Sequence, residues 1–447
     1  MATVQNRRDF LKVAAAAGAG MALSSLGSFS QAKEKKQIKP LERVRVGFVG
    51  MGMQGSGHIN NLLKIEGADL VAVCDIRPEK AEASVKAAVA AGKKAPKVYT
   101  GDKDAYKRMC DTEELDLVYT ATPWELHVPV MTYAMKTGKH ACTEVPAAVT
   151  LDECWEMVEL HEKTGLHCVM MENCCYDRVE LMVLNMVRKG LLGDLLHGEC
   201  GYRHDLRGLK LAPEANGYWN MWRLEHSKKR NGDLYPTHGL GPVSQCMNIN
   251  RGNKFEYLVS MATRSGGLNA FAAKMKEYGP SHELAKYHYK LGDVVTTIIR
   301  THNGETIVIT HDTNTPRPYS RDYMVQGTKG LVQKYPKELA YIEGDGPDAW
   351  QELSKYQAEW EHPLWKFMEE QSKGAGHGGM DFIEDYRLIE CLLKGEPTDL
   401  DVYDAAAWSS ISALSEKSIA KDGAAVKVPD FTRGAWKDRK PLGIIKG

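Results

Sequence analysis

A strand-like run that ends in a glycine turn and passes straight into an amphipathic segment constrains this chain more than any other feature. It is VRVGFVGMGMQGSGHINNLL, residues 44–63. Val44–Val49 reads as a buried parallel strand, Gly50, Gly52 and Gly55 have GxGxxG spacing, and His58–Ile65 reads as a helix. Each glycine has a task. Gly50 permits the tight turn, Gly52 lets the backbone approach a pyrophosphate, and Gly55 allows the helix to pack closely on the strand. The helix N-terminus then offers free N–H groups and the positive end of its dipole to phosphates. A chain built on this unit is an α/β protein with a doubly wound parallel sheet of the Rossmann type. The motif alone is weakly specific.

Later elements extend the alternation. ADLVAVCD, residues 68–75, is a second buried strand ending in Asp75, twenty residues beyond Gly55. An acid at that place hydrogen-bonds the adenosine ribose hydroxyls and repels a 2′-phosphate, which favours NAD over NADP; Arg77 is the opposing charge nearby. LDLVYTATP (115–123), KHACTEVP (139–146) and LHCVMMENCCY (166–176) read as further strands. Ligands of such sheets lie beyond the carboxyl ends of the strands, where Trp124, His127, Glu144, Val145 and Asn173 fall. An NAD-binding domain over residues 42–176 is expected. After it, Val179–Gly190 reads as a helix and LLHGECGYRH as a strand. GDVVTTIIRT, GETIVITHDT and RDYMVQGTKG alternate in close succession, and GHGGMDFIEDYRLIECLL returns to helix. Residues 177–447 therefore read as a second, α+β domain with a largely antiparallel open sheet and C-terminal helices that pack back.

Charge excludes one class of partner. Lys plus Arg and Asp plus Glu both number 58, with no concentrated basic stripe, so no nucleic-acid partner is expected. The ten cysteines show no CxxC spacing and read as reduced core thiols. The N-terminus stands apart. Arg7-Arg8-Asp9-Phe10-Leu11-Lys12 precedes an Ala- and Gly-rich run and a small-x-small site at Ser30-Gln31-Ala32. Residues 1–32 resemble a twin-arginine (Tat) signal peptide, followed by a charged linker over 33–41. The run is too short and glycine-rich to span a bilayer, so the expectation is an exported protein, periplasmic or secreted, without a stable membrane anchor.

Two stretches gather aromatic residues. GYWNMWRLEHSKKRNGDLYPTHG, residues 217–239, reads as irregular and holds Tyr218, Trp219, Trp222, Arg223, Tyr235 and His238. TPRPYSR, residues 315–321, adds Tyr319. Aromatic faces beside hydrogen-bonding side chains suit a sugar ring, with its apolar C–H faces and polar rim. His377 in GHGG has no HxxxH or HExxH companion, so no metal site is predicted.

Together GMGMQG, Asp75, TATPWELHVP, TEVPAA, LYPTHGLGP and GHGGMD resemble the Gfo/Idh/MocA oxidoreductase superfamily over residues 42–435. Within it they resemble glycoside hydrolase family 109, the NAD-dependent α-N-acetylgalactosaminidases. Dehydrogenases of the superfamily usually carry Glu-Lys-Pro where this chain has Glu144-Val145-Pro146, and valine cannot take a hydroxyl proton. The resemblance implies that Met53, Gln54, Asp75, Trp124, Leu126, His127, Glu144, Val145 and Asn173 contact NAD. It implies that Tyr202, Arg223, Tyr235, Pro236, Thr237, His238 and Tyr319 contact the sugar. The implied reaction oxidises C3, removes the acidified C2 proton, eliminates the anomeric group, adds water and returns the hydride.

His238 is the candidate base for the C3 hydroxyl, since neutral imidazole is abundant near pH 7. Tyr176 or Tyr202 is the candidate for the C2 proton, given an activating neighbour such as Arg223, and Glu144 is a further acid–base candidate. Such a cycle reconciles a nucleotide fingerprint with export, because one tightly held NAD leaves with the folded protein. Two rival readings remain beside it: a Gfo-like sugar oxidoreductase with retained NAD, and a non-catalytic sugar-binding protein. The expected partners are a small carbohydrate or glycan end, the Tat export machinery and, as an open alternative, a second copy of the chain.

Overall fold

Val44–Val49 (β1) is a strand because its alternate side chains find apolar cover on both faces; Val44, Val46 and Phe48 are fully buried. In this computed structural model, which describes residues 39–212, 217–346, 348–441 and 443–445, β1 is central to a six-stranded sheet. The signal-like segment and most of the linker fall outside the described residues. The other strands are β2 (Ala68–Cys74), β3 (Lys97–Tyr99), β4 (Leu117–Thr120), β5 (His140–Thr143) and β6 (Cys168–Met170). Their order is β3-β2-β1-β4-β5-β6 and every pair is parallel. Helices α1 (Met53–Leu62), α2 (Pro78–Ala90), α3 (Ala105–Thr112), α4 (His127–Lys136) and α5 (Leu151–Thr164) make the crossovers. The order reverses direction beside β1, which places the ligand crevice at the ends of β1 and β4.

Helix α6 (Arg178–Arg188) leads into a nine-stranded sheet. It contains β7 (Leu195–Arg203), β8 (Phe255–Ala262), β9 (Val294–Thr301), β10 (Thr306–Asp312), β11 (Met324–Gly327), β12 (Gly330–Gln333), β13 (Leu339–Ile342), β14 (Gln351–Glu352) and β15 (Val426–Lys427). The order is β14-β13-β12-β11-β7-β10-β9-β8-β15, antiparallel except for β7 with β10. That parallel pair is joined by the long excursion through residues 204–305, as a parallel connection requires. The excursion carries α7 (Arg207–Leu211), α8 (Trp222–Lys229) and α9 (Thr237–Cys246), and with them most of the aromatic stretch.

Helices α8 and α9 replace a segment that read as irregular. Basic residues at the last turn of α8, Lys228 and Lys229, suit the negative end of its dipole, a signal that aromatic clustering obscured. Helix α1 likewise begins at Met53 rather than His58, because Gly52 caps it and the polar residues of its first turn hide the apolar period.

Two C-terminal helices pack back on the sheets, the first against β1 and the helix after it and the second against β6 and β8. α10 (Met380–Lys394) buries Asp381, Glu384 and Asp385 on one face. α11 (Val402–Ile419) is buried almost all round and opens with a capping box at Asp401 and Asp404. Its Ser409 Oγ accepts the Ala147 N–H at 3.1 Å, and its Ser418 Oγ accepts the Ser260 N–H of β8 at 2.8 Å. All ten cysteines are buried and unpaired. No helix among the described residues is long and apolar enough to cross a membrane.

Helix α9 is pressed onto β7 at Gly239, where a Cβ would stand 2.3 Å from the Gly201 nitrogen and 2.8 Å from its oxygen. Backbone atoms cannot yield as a side chain does. Gly239→Ala should therefore lower stability by about 2–3 kcal/mol, read as a lower urea midpoint at unchanged slope; an unchanged midpoint would contradict the packing.

Candidate active site

The glycine turn forms a cradle that only glycine can make. Gly50 sits at φ +89°, and a Cβ there would lie 2.8 Å from the Ala121 carbonyl oxygen. A Cβ on Gly55 would stand 2.0 Å from the Gly50 oxygen, so α1 is packed as tightly on the turn as a helix can be. A Cβ on Gly52 would meet nothing within 4 Å: the turn is open on that side. Gly52 is the N-cap of α1 and supplies no side-chain cap, so the first N–H groups stay free for an anion. Met53 is exposed and Gln54 half-buried beside them. These features fit a dinucleotide pyrophosphate.

Asp75 accepts the Met51 N–H at 2.7 Å and the Arg77 N–H at 2.8 Å, tying the end of β2 to the turn. A carboxylate has about four acceptor positions, so capacity remains for ribose hydroxyls. Arg77 pairs with Asp75 at 3.6 Å and stacks on Trp219 at 4.7 Å, which leaves it a poor receptor for a 2′-phosphate.

Beyond β4, Trp124 turns toward the second sheet. Its ring stacks on Tyr235 at 5.7 Å and meets Trp222 edge-on at 5.1 Å. Arg223 lies inside this group, 4.6 Å from the Tyr235 ring, 4.9 Å from Trp124, 5.4 Å from Tyr218 and 5.6 Å from Tyr202. It is buried, and its one hydrogen-bond acceptor among the described residues is the Tyr218 hydroxyl at 3.1 Å. No carboxylate among the described residues pairs with it, and its Nη2 has no partner there. Thr237 Oγ1 is also buried without a partner, while Pro236 serves as the N-cap of α9. An unpaired buried cation in an aromatic cage is costly unless a ligand completes it.

His238, on the first turn of α9, packs edge-on against Tyr235 at 4.8 Å and Tyr202 at 5.3 Å. Its Nδ1 lies 2.7 Å from Oε1 of the fully buried Glu172. Donation of Nδ1–H to that carboxylate leaves Nε2 as the free nitrogen. Tyr202 is in the same group, with its hydroxyl 3.1 Å from His204 Nδ1. Burial pushes its phenol up, and Arg223 offsets that only in part. Tyr319 closes the outer side, 5.0 Å from the His204 ring and 6.2 Å from Tyr202.

Tyr176 is elsewhere. Its hydroxyl donates to Asp399 at 3.3 Å, and Asp399 is clamped by Arg387 at 2.8 Å. Tyr176 lines a small separate cavity of about 10 Å³ with Glu384 and Thr398, because the turn that follows β6 rotates it into the core. Its hydroxyl is thus engaged by Asp399, apart from the rings gathered around Arg223.

Glu144 belongs to a chain of buried charges. Its Oε1 lies 2.6 Å from His58 Nε2, and His58 Nδ1 lies 2.8 Å from Asp385 Oδ2, with the Tyr119 hydroxyl 2.9 Å away. Both ring nitrogens face carboxyl groups, and an imidazolium can donate to both. Burial pushes His58 down, and Asp385 and Glu144 outweigh it, so the ring is held protonated. Burial likewise pushes Glu144 up, and the His58 hydrogen bond outweighs it, keeping Glu144 ionised. Asn173 Nδ2 donates to Asp381 Oδ1 at 2.7 Å, and Asp381 Oδ2 lies 2.8 Å from His377 Nδ1.

His127 has both ring nitrogens 2.8 Å from carbonyl oxygens, those of Pro146 and Thr122, so it braces the loops after β4 and β5 rather than offering an N–H to a ligand. Val145 is buried and Leu126 half-buried at the same strand ends. Glu172, His58 and Asp385 escaped the sequence reading. Glu172 was within its reach, since it immediately precedes Asn173 at a strand end. Glu172, Cys174 and His238 also bring ligand-type atoms within 4.8 Å of one another, a grouping that HxxxH spacing does not reveal.

Comparison with known proteins follows this geometry. Residues 176–438 match the family model "Glycosyl hydrolase 109, C-terminal domain", and residues 44–172 match "Oxidoreductase family, NAD-binding Rossmann fold". Residues 5–24 match a twin-arginine translocation signal. A glycosyl hydrolase family 109 protein of Shewanella pealeana is 45% identical, covering 98% of this chain and 99% of its own. Proteins named alpha-N-acetylgalactosaminidase from Tannerella forsythia (97% and 98% covered) and Shewanella oneidensis (98% and 99%) are 44% and 43% identical. Among solved structures, levoglucosan dehydrogenase with NADH and levoglucosan superposes with a TM-score of 0.66 at 19% identity, covering 87% of this chain and 100% of that one. Scyllo-inositol dehydrogenase from Lactobacillus casei with bound NAD(H) and scyllo-inositol gives 0.60 at 13%, covering 86% and 99%. These two share the fold.

The loop that delivers Tyr235 and His238 starts at Asp233, which is fully buried, with Oδ1 accepting the Tyr235 N–H at 3.3 Å and Oδ2 unpartnered among the described residues. Burial pushes its carboxyl up to about 7 from 3.8. The folded state thus holds a proton that the unfolded chain has lost, so this group's contribution to stability falls as pH rises from about 4 to about 7 and is level above that. Asp233→Asn should be more stable than the parent by about 1–3 kcal/mol at pH 8, with the advantage gone at pH 4, in urea titrations at both pH values. Equal midpoints at pH 8 would contradict a strained carboxylate here.

Proposed function

Because the chain belongs to the glycosyl hydrolase 109 family, we propose that it removes terminal α-N-acetylgalactosamine from glycans outside the cytoplasm. It is an exported, NAD-dependent glycoside hydrolase, and the substrate and residue roles below are our reading. NAD, when bound, would supply a hydride acceptor for the sugar's C3 that is regenerated rather than consumed. The glycine turn and the N-terminus of α1 would hold the pyrophosphate, Asp75 the ribose, and Glu144 and Asn173 the nicotinamide end.

The chain's own residues carry the rest. His238, oriented by Glu172, takes the C3 hydroxyl proton on its free Nε2. The C2 proton falls to Tyr202. A phenol pushed up by burial is a poor base, but its hydroxyl is hydrogen-bonded to His204, which burial pushes down and so keeps neutral and able to accept a proton. Arg223 stabilises negative charge that develops on the sugar oxygen as C2 is deprotonated, with its unfilled Nη2 N–H as donor. The tyrosine and tryptophan faces cover the C–H faces of the ring and exclude water. The observation that carries this reading is the buried Arg223, unpaired among the described residues, lying beside the His238–Glu172 pair where the two sheets meet.

A chromogenic α-N-acetylgalactosaminide should be cleaved by purified protein with no NAD added and with EDTA present, and product formed in deuterated water should carry deuterium at C2. No cleavage, or product unlabelled at C2, would remove the proposed route. Arg223→Met should lower kcat/KM at least tenfold, about 1.4 kcal/mol, chiefly through kcat, while nicotinamide released on denaturation stays stoichiometric. An unchanged kcat/KM would take Arg223 out of the sugar site.

A further inference from the structure

We propose that residues 218–226 form a strap across the nucleotide crevice, and that the stack of Trp219 on Arg77 is the catch that keeps bound NAD from exchanging. This rests on the NAD-binding domain and not on the glycosidase reading. The sheet order sets the geometry. β2 and β4 flank β1, so the residues that follow them stand on either side of the glycine turn. The strap touches both sides. After β2, the Arg77 guanidinium lies 4.7 Å from the centre of the Trp219 ring. After β4, Trp124 meets Trp222 edge-on at 5.1 Å and lies 4.7 Å from the His226 ring, while Glu125 Oε1 stands 3.1 Å from His226 Nε2. One segment of the second domain thus reaches from the adenosine side, beside Asp75, to the far flank of the turn. A dinucleotide laid along these strand ends has to leave past it.

The two fastenings are built differently. On the β4 side Trp124 and His226 are buried, and rings and a charged pair act together, which makes that end a fixed anchor. The outer side of the strap is tied to its own domain. The Tyr218 N–H donates to the Leu209 carbonyl at 3.2 Å, and Leu224 is buried with Leu211 and Leu268 in a small separate core. At the β2 end Trp219 is only half-buried, and the two residues after it, Asn220 and Met221, are both left-handed at φ +50°. Such a conformation costs a non-glycine residue about 1–3 kcal/mol and persists only where neighbouring contacts enforce it. Arg77 is itself held, its N–H donating to Asp75 at 2.8 Å and its guanidinium 3.6 Å from the same carboxylate. The catch therefore closes on the residue that ties down the ribose-side acid. Opening it breaks the stack and lets the left-handed pair relax, so retention of the nucleotide depends on one cation–ring contact. A protein that works outside the cytoplasm, away from any pool of fresh NAD, has use for such a catch.

The test follows exchange of the nucleotide that purifies with the full chain against a large excess of isotopically labelled NAD, read by mass spectrometry after denaturation. No sugar is present, so the result stands whether or not the glycosidase reading does. Trp219→Ala and Arg77→Ala should each speed exchange at least tenfold. Trp219→Phe, which keeps a ring face for the cation, should stay within about threefold of wild type. The double alanine variant should exchange within about threefold of the faster single, because the two side chains form one catch. Where the Trp219→Ala protein melts early, Trp219→Leu keeps the bulk without the ring face and carries the same expectation. Exchange at the wild-type rate without the Trp219 ring, or single effects that multiply in the double variant, would overturn the assignment.

Discussion

The site depends on a positive charge sealed between two negative ones. His58 lies on the helix that caps the nucleotide turn, Glu144 follows β5, and Asp385 is on α10, more than two hundred residues later in the chain. Three segments that touch different parts of the reacting system are therefore locked by one ring. Removing a single member would strand a buried charge at a cost of about 3–5 kcal/mol, whereas the complete chain satisfies both ring nitrogens. Its use lies less in net stability than in geometry, because an ion triad of this kind tolerates little displacement of any partner. Glu144 is thereby held ionised at the end of β5, with its second oxygen held by the Val145 N–H at 3.1 Å.

Arg223 works by the opposite logic. Here the protein leaves a cation without a counter-charge among the described residues and surrounds it with ring faces, which attract it without saturating its N–H groups. The cost is met partly by the rings and partly by a ligand. A neutral substrate that acquires negative charge during reaction interacts with such a group most strongly at the moment the charge develops. That is the condition for lowering a barrier rather than merely binding.

The nucleotide half was legible because its chemistry is local. A strand, a glycine turn and an acid twenty residues on are one contiguous device, and the structure places Gly50, Gly55 and Asp75 in those roles. The second sheet was legible in type, since alternation shows in β9 and β10. The parallel pairing of β7 with β10 was not, because nothing local encodes a partner a hundred residues away. The same limit explains the site residues. Trp124 reads as a cofactor neighbour from its strand end, yet its ring serves the aromatic cage, and Tyr176 shares a segment with Asn173 but points into the core. Glu172, His58 and Asp385 matter through contacts between segments distant in the chain.

On the proposed route two kinds of chemistry share this cleft, and their demands on solvent conflict. Hydride transfer and the removal of a carbon-bound proton gain from a dry, preorganised pocket, while release of an alcohol and uptake of water need access to bulk solvent. The fold separates them along one direction. The closed end is built from α9, β7 and the turn after β4, elements pinned by backbone contact at Gly239 and by α11. The open end is built from the loop around Tyr319. α10 supplies Asp385 to the ion triad and Asp381 to Asn173, so one helix ties down α1, the end of β5 and the turn after β6. On the proposed function, a chain that carries its cofactor through export has reason to hang these anchors on a single rigid rod.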